Sequence, residues 1–415
     1  MSKKLFLILS ILYSCTSFYA QEVEVNPAYF IKTISFVQNG QNAVPIFQLG
    51  DSFSLQFDDL HGTEDNYYYK ITHCNYNWKP SELTRNEYLG GFDDQRIQDY
   101  TNSFNALQIY SHYRVSFPSK LTQLKVSGNY IISILNDDKE VVFCRKFIIY
   151  EDLVAVPMQV KRARVVKDFQ YKHNLDFAIK SADINFQSPL TNVKVLLLQN
   201  GKFNNAIYNV KPMYTIGNDL IYKYDAETQF WAGNEYLYFE NKNIQAANNN
   251  IAFVDSNGLY NTHLYTSGAR ANAPYTYFPD INGNFLVNKI NSENPDVEAD
   301  YAWVYFALSA PSYFGNKNIY VTGMFNNNVL SDENKMDYNA DKAIYEKAIM
   351  IKQGFTNFNY TISDAKGNIE DENAVDGNFF QTENNYFAIV YYRENNQRYD
   401  RVIGKGVASS KDIIN

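Results

Sequence analysis

The chain has 415 residues, 45% of them hydrophobic, which is enough for two or three domains with separate cores. A formal net charge of -8 argues against binding to a nucleic-acid backbone, which would need clustered basic residues. The 35 Tyr and 29 Phe favour half-buried pleated surfaces, so the composition predicts a β-rich fold.

The N-terminus has the pattern of a secretion signal. Lys3 and Lys4 precede the apolar run LFLILSILY, and small or polar residues continue to Ala20. We expect cleavage after Ala20 and release of the mature protein into the periplasm. A second interpretation is that residues 12–15 imitate a lipoprotein box, which would place a lipid on Cys15. No later stretch approaches the roughly 20 apolar residues of a membrane helix.

The first domain is predicted over residues 21–155. An alternating strand around Tyr69, Ile71 and His73 runs into a turn that contains Trp78 and Pro80. Pro80 fixes its own φ and keeps the residue before it out of the helical region. About seven short strands separated by turn residues describe an immunoglobulin-like β-sandwich.

Two cysteines of this domain, Cys74 and Cys144, remain after cleavage of the signal. An exported compartment would permit a disulfide if the two Cα atoms lie within bridging distance. Two buried thiols that act as small hydrophobic side chains are the alternative. The sequence alone leaves both interpretations open.

A second β-sandwich domain is predicted over residues 156–294. Its strand candidates include LDFAIKS, VKVLLLQNG and DLIYKYD, followed by FWAGNEYLYFE with a turn at Gly233 and Asn234. The Asn-rich tract NIQAANNNIAF is typical of a surface loop. No helix of convincing length is evident, so the whole chain is expected to be all-β, with tandem immunoglobulin-like sandwiches.

The third domain, predicted over residues 295–415, resembles the glycogen-binding type of β-sandwich. The residues that carry this resemblance are Gly323, Phe325, Asn326, Gly354, Phe355 and Tyr360. Asn327 and Asn328 stand where that family commonly has a tryptophan for stacking on sugar. The resemblance therefore implies the scaffold and not the ligand.

No catalytic, metal or cofactor site is predicted. The five His residues include no pair at metal-binding spacing, and neither a Gly-x-Ser-x-Gly elbow nor a phosphate-binding loop occurs. The strongest metal candidate is the acidic group Glu370, Asp371, Glu372 and Asp376. It lacks the alternating oxygen ligands of a calcium loop, which favours a solvated turn. The chain is therefore not expected to be an enzyme.

Three groups of segments together resemble the type IX secretion system plug family of Bacteroidota. They are ITHCNYNWKPSEL with EYLGGFDD and SGNY, FWAGNEYLYF with DINGN, and NFFQTENNYFAIVYYRENNQRYDRVIG. The resemblance implies a periplasmic protein that closes the periplasmic opening of a giant SprA-type translocon barrel in the outer membrane when no shuttle partner is bound. The implied partner is that barrel, through protein–protein contacts.

Trp78 and Trp231 are candidate interface anchors, since tryptophan is favoured at binding hot spots. Packing of both indoles in the core or at a sandwich corner is the alternative. An alternative function is a carbohydrate-binding exported or surface lipoprotein module, which would use the third domain or an acylated Cys15.

Overall fold

The computed structural model describes residues 24–310 and 316–413. The predicted signal segment 1–20, with Ala20 and Cys15, lies outside the described residues. The α-helices within these ranges are single turns, α1 (Arg85–Tyr88), α2 (Pro189–Asn192) and α3 (Pro295–Glu298). None of the described helices is long and apolar enough to cross a membrane. The predominance of strands confirms the all-β class and the tandem sandwiches.

The first sandwich uses the strands β1 (Ile31–Gln38), β2 (Gln41–Asn42), β3 (Ile46–Gln48), β4 (Phe53–Asp59), β5 (Tyr68–Cys74), β6 (Leu89–Gly91), β7 (Gln95–Arg96), β8 (Tyr100–Asn102), β9 (Ser111–Phe117), β10 (Thr122–Leu124), β11 (Gly128–Leu135) and β12 (Val141–Tyr150). One sheet has the order β2-β1-β4-β9-β8 and the other β3-β12-β11-β5-β7, with β10 paired to β6. Alternate residues of both sheets meet in an aromatic core, where Phe57 lies 5.2 Å from Phe143 between ring centroids.

The next strands are β13 (Met158–Arg162), β14 (Lys172–Ile179), β15 (Val193–Gln199), β16 (Lys202–Tyr208), β17 (Tyr214–Ile216), β18 (Asp219–Tyr222), β19 (Gln229–Trp231), β20 (Leu237–Glu240), β21 (Ile251–Asn257), β22 (Leu259–Leu264), β23 (Ser267–Gly268) and β24 (Phe285–Val287). The last seven are β25 (Tyr301–Ser309), β26 (Asn318–Thr322), β27 (Asp337–Asn339), β28 (Ile344–Lys352), β29 (Gly354–Ser363), β30 (Asn385–Tyr392) and β31 (Arg401–Ser409).

The second sandwich is closed by the C-terminal strands. One of its sheets has the order β13-β14-β18-β17, with β19 beside β14, and the other has the order β16-β15-β30-β31. The third sandwich is inserted between β19 and β30, with sheets β21-β22-β25-β28-β27 and β20-β29-β24, to which β23 and β26 add. The chain therefore enters the third sandwich once and returns to the second.

This topology corrects the predicted boundaries 156–294 and 295–415. Residues 237–363 supply the third sandwich, whereas β30 and β31 belong to the second core. The physical reason lies in β15, whose backbone is buried, so that the N–H and C=O groups along both of its edges need the hydrogen-bond partners that β16 and β30 supply. Leu197 faces the second core, and Leu196 and Leu198 face the first sandwich.

The first and second sandwiches share an apolar junction. The Tyr391 hydroxyl donates to Asn129 Oδ1 at 2.7 Å, and the Tyr76 hydroxyl donates to the Val195 carbonyl at 3.0 Å. Around these hydrogen bonds, side chains from β11, β12, β15, β30 and β31 form one continuous buried cluster. The two sandwiches therefore pack together through a core of their own.

Cys74 and Cys144 are both buried, on the two strands that flank β11. Cys74 lies opposite Asn129 and Cys144 opposite Ser133. Four positions along a strand and two strand spacings separate the two cysteines by about 15 Å. This exceeds the Cα separation that a disulfide between them would span.

Candidate interaction site

The structure places the two tryptophans that were predicted as anchors differently. Trp78 is fully buried at the junction of the first and second sandwiches, with its ring edge-on to Phe203 at 5.4 Å. This is the packing alternative, because a buried indole cannot contact a partner without local opening. Trp231 is partly buried beneath the Lys172 ammonium, which lies 4.2 Å from the ring centroid. Its role at an interface remains a prediction.

The exposed tryptophan is one that sequence reasoning did not select. Trp303 and Tyr305 point outward from β25 and are each 38% exposed, whereas Val304 and Phe306 point into the third core. The alternation in AWVYFALS is the signal that marks this strand. Both faces carry aromatic residues, so the alternation could not show which face would meet solvent.

Tyr305 belongs to a stack of three rings that crosses neighbouring strands. Phe253 lies opposite His263, and His263 lies opposite Tyr305. Their ring centroids are 4.1 and 4.3 Å apart, with interplanar angles of 13° in both cases. Parallel rings at this spacing on adjacent strands must stand upright on the sheet. The stack therefore presents ring edges to solvent, while Asp255 Oδ2 holds His263 Nε2 at 2.9 Å.

A groove runs along this face and onto the first sandwich. Its first part is a cleft of about 460 Å³ lined from both sandwiches, by Tyr29, Phe30, Leu60, His61 and Gln108 on one side and by Trp303, Lys347 and Met350 on the other. Its second part, of about 1110 Å³, is lined by Phe253, His263, Tyr305 and Tyr338. Lys347 and Ala348 line both parts. We call these residues together the aromatic groove.

The same face of β25 and β28 is buried at its other end. Tyr301 lies opposite Lys352, whereas Trp303 and Tyr305 lie opposite Met350 and Ala348 in the groove. Because side chains two positions apart share a face, Tyr301 and Lys352 lie on the same outward surface. There the first sandwich buries both side chains.

The contact under this cover is a buried charged cluster centred on Asp58. Lys352 Nζ and the Tyr301 hydroxyl both donate to Asp58 Oδ2 at 2.6 Å, and His112 Nδ1 lies 2.7 Å from Asp58 Oδ1. Lys352 also donates to the Asp296 carbonyl at 2.6 Å. We call Asp58, His112, Tyr301 and Lys352 the Asp58 cluster. It fixes the first sandwich to the third.

Electrostatics in the cluster favour the ionised carboxylate. Burial by itself would raise the pKa of Asp58, but attraction to Lys352 and the hydrogen bond from His112 hold that pKa below its usual range. Burial lowers the pKa of Lys352, and Asp58 opposes this effect. The pair thus remains a salt bridge that depends on both partners.

Two groups of side chains bear on metal binding. The predicted group does not converge, since Glu370 pairs with Lys317 at 2.5 Å and Asp376 with Arg270 at 2.7 Å. Among the described residues the ligand atoms of Asp59, His61 and Asp65 do approach one another, with His61 Nδ1 3.2 Å from Asp59 and 3.8 Å from Asp65.

The residues Asp59, His61 and Asp65 were not singled out from the sequence. Asp59 Oδ2 accepts a hydrogen bond from the Tyr67 hydroxyl at 2.9 Å, and Asp59 Oδ1 accepts one from the His61 backbone at 3.0 Å. The buried carboxylate thus has protein partners at both oxygens. The group closes the turn after β4 at the rim of the aromatic groove.

In the turn that resembles the glycogen-binding module, the side chains of Asn327 and Asn328 form hydrogen bonds within the chain. Asn327 and Asn328 adopt left-handed backbone with φ of 55° and 52°, which asparagine tolerates. The Asn328 amide donates to Met324 Sδ at 3.3 Å, and Asn327 donates to Glu24 at 3.1 Å. No ring for stacking on sugar stands at either position.

Comparisons with known proteins give the family. The family model described as type 9 secretion system plug protein 1st domain matches residues 31–151. A crystal structure of a hypothetical protein from Parabacteroides merdae ATCC 43184 shares 30% identity over 94% of this chain and 100% of its own, with a TM-score of 0.89. No curated protein shows a significant match.

A mixed-linkage glucan utilization locus SGBP-B from Bacteroides ovatus, solved with a heptasaccharide, shares 12% identity over 79% of this chain and 74% of its own. Its TM-score of 0.14 supports no argument about fold or ligand. The Parabacteroides relative, in contrast, superposes over all three sandwiches, and the match over residues 31–151 spans the first. The chain therefore belongs to the family of type IX secretion system plug proteins.

Proposed function

We propose that this protein is a periplasmic plug that closes the periplasmic opening of a SprA-type outer-membrane translocon barrel when no shuttle partner occupies it. The observation that carries the proposal is the plug-family match of the first sandwich. The construction of the rest of the chain supports it, because an object that closes a wide aqueous opening must keep its shape.

Two features resist relative motion of the sandwiches. The Asp58 cluster fastens the third sandwich to the first. The two loop segments through which the chain enters and leaves the third sandwich are also hydrogen-bonded to each other. Gly233 N donates to Asn378 Oδ1 at 2.9 Å, Thr382 Oγ1 donates to the Gly233 carbonyl at 2.8 Å, and Glu383 N donates to Glu235 Oε1 at 3.1 Å.

The proposed role is binding and not catalysis. The buried histidines of the described chain serve packing and hydrogen bonding: His173 contacts the Tyr386 hydroxyl and the Phe380 carbonyl, each at 2.7 Å. Burial lowers the pKa of His73 and of His173 to about 4. Both rings are therefore neutral near pH 7 and are enclosed in cores, away from any substrate.

Deletion of the gene tests the proposal. Loss of a plug should make the outer membrane permeable to bulky antibiotics or dyes, while export through the translocon continues at least in part. Deleting the barrel together with the plug should restore the barrier, because no opening then remains. Unchanged permeability in the single deletion, or equal leakage in the double deletion, would contradict the plug function.

The carbohydrate-binding alternative gives a different result in the same strain. A glycan-capture protein would leave permeability unchanged on deletion, and the purified full chain would be retarded in polysaccharide affinity gels. Retardation without a permeability defect would support that alternative.

A further inference from the structure

The outer face of β25 and β28 is one surface with two environments. At one end, Tyr301 and Lys352 are buried by the first sandwich, and at the other, Trp303 and Tyr305 remain exposed. The exposed part thus continues a surface that already forms a protein interface within the chain. Exposed apolar side chains that continue a packed interface are candidates for contact with a partner protein.

Three ion pairs take up most of the charge around the aromatic groove, whereas Lys347 donates to the Asp332 carbonyl at 2.8 Å. Lys32 lies 2.8 Å from Glu333, Lys342 lies 2.8 Å from Glu346, and His263 lies 2.9 Å from Asp255. The rim is therefore polar but offers little uncompensated charge to a ligand. An aromatic floor inside a polar rim is the anatomy of a protein–protein interface.

Ring orientation in the groove favours a protein partner over a sugar. A pyranose binds by lying flat on an exposed ring face, as aromatic platforms do. In the stack of Phe253, His263 and Tyr305, both faces of the His263 ring and one face of each neighbouring ring are covered, and the ring edges point outward. Upright rings bury well against side chains of another protein, since edge contacts are favourable for aromatic residues.

The groove is lined by residues of both the first sandwich, which matches the plug family, and the third sandwich. Tyr29, which is 70% exposed, stands across the cleft from Trp303. Beside them, the loop of the first sandwich that carries the exposed Leu107 and Ile109 is held on the third sandwich, because Leu107 N donates to Asp300 Oδ2 at 2.8 Å. A partner that binds here touches both sandwiches at once.

We propose that the aromatic groove is the surface that docks on the periplasmic rim of the translocon barrel, through an apolar, uncharged ridge of that rim. This inference rests on the proposed plug function. The groove forms the centre of the contact, and the paired charges form its edge.

The test compares two double variants of the tagged full chain in mild-detergent pull-downs from its native outer membrane. Trp303→Ala with Tyr305→Ala removes the exposed aromatic floor. Tyr214→Ala with Ile216→Ala removes comparably exposed side chains, 43% and 63%, from the edge strand β17 of the second sandwich. We expect the groove variant to recover roughly tenfold less barrel or lower, the range of a hot-spot loss. The β17 variant should recover as much as the wild type.

A third variant, Ala348→Glu, distinguishes loss of binding from loss of folding. It adds a charge on the floor common to both parts of the groove without removing an aromatic side chain. Circular dichroism and melting temperature should match the wild type, while recovery of the barrel falls as in the double variant.

The outcomes separate the inference from the proposed function. If the wild type recovers the barrel and the folded groove variants do so equally well, the groove is not the docking surface, and the plug function stands. If the β17 variant alone loses the barrel, the contact lies on the second sandwich. If the wild type recovers no barrel and deletion causes no leak, the plug function itself fails.

Discussion

Replacing Asp58 by asparagine should destabilise the contact between the first and third sandwiches by roughly 3 to 5 kcal/mol, the cost of removing one partner of a buried ion pair. Asp58 is fully buried and accepts from Lys352, Tyr301 and His112. Asparagine keeps the shape but removes the negative charge. The Lys352 ammonium would then remain buried without a counter-charge, with the Asp296 carbonyl and the face of the Tyr110 ring, 4.1 Å away, as its nearest support.

A double-mutant cycle measures this contribution. Lys352→Met removes the positive charge, and the double variant Asp58→Asn with Lys352→Met removes both. Because the second substitution relieves the charge that the first left alone, the double variant should lose less stability than the two single variants added together. Urea unfolding followed by tryptophan fluorescence gives the three differences.

A coupling free energy below about 0.5 kcal/mol, the level at which independent sites add, would refute the reasoning. Asp58 and Lys352 would then not depend on each other, and the Asp58 cluster would not be what holds the two sandwiches together. Tyr301→Phe is the matched control. It removes the hydrogen bonds of the Tyr301 hydroxyl with Asp58 Oδ2 and Thr33 Oγ1 without changing any charge, and it should cost roughly 1 to 3 kcal/mol.

Three further predictions concern stability and secondary-structure content. Burial raises the pKa of Glu235 from 4.5 to about 7, so stability should fall as pH rises through this window, and Glu235→Gln should remove the slope in thermal melts at pH 5 and pH 8. Trp78→Ala should cost roughly 3 to 5 kcal/mol in urea unfolding, because a fully buried indole is lost; an unchanged curve would contradict its packing role. Far-ultraviolet circular dichroism of the purified chain should show a dominant β signal, and helix above roughly a third would contradict the fold.

Local patterns in the sequence predicted where strands form, but they did not predict which strands pair with one another. VKVLLLQNG reads as a strand, and β15 occupies Val193–Gln199 within it. The C-terminal segment NYFAIVYY is equally a strand, yet nothing in its alternation shows that it pairs with β15, almost 200 residues earlier. Strand periodicity reports which side chains share a face, and it carries no information about which sheet the strand joins.

The sequence did not predict the aromatic groove or the Asp58 cluster, and the reason is related. Asp58 and Lys352 are separated by 294 positions, and each looks like an ordinary surface residue in its own strand. Trp78 attracted attention because of the turn beside Pro80, and that turn indeed holds it, with φ of 60°. Trp303 sits in a strand that is aromatic on both faces, so its exposure depends on how far the first sandwich extends over β25. That distance is a property of domain packing, which no local pattern encodes.

The return of the chain to the second sandwich sets an order for folding. Residues 31–150 and 237–363 each contain the strands of a complete sandwich, whereas the second core lacks β30 and β31 until the last part of the chain is available. During synthesis from the N-terminus, one edge of β15 stays without its partner strand until about 190 further residues have been made. A chain truncated before Asn385 would retain the strands of its first and third sandwiches. It would lack the side chains of Ile389, Tyr391 and Val402, which complete the buried cluster around Trp78.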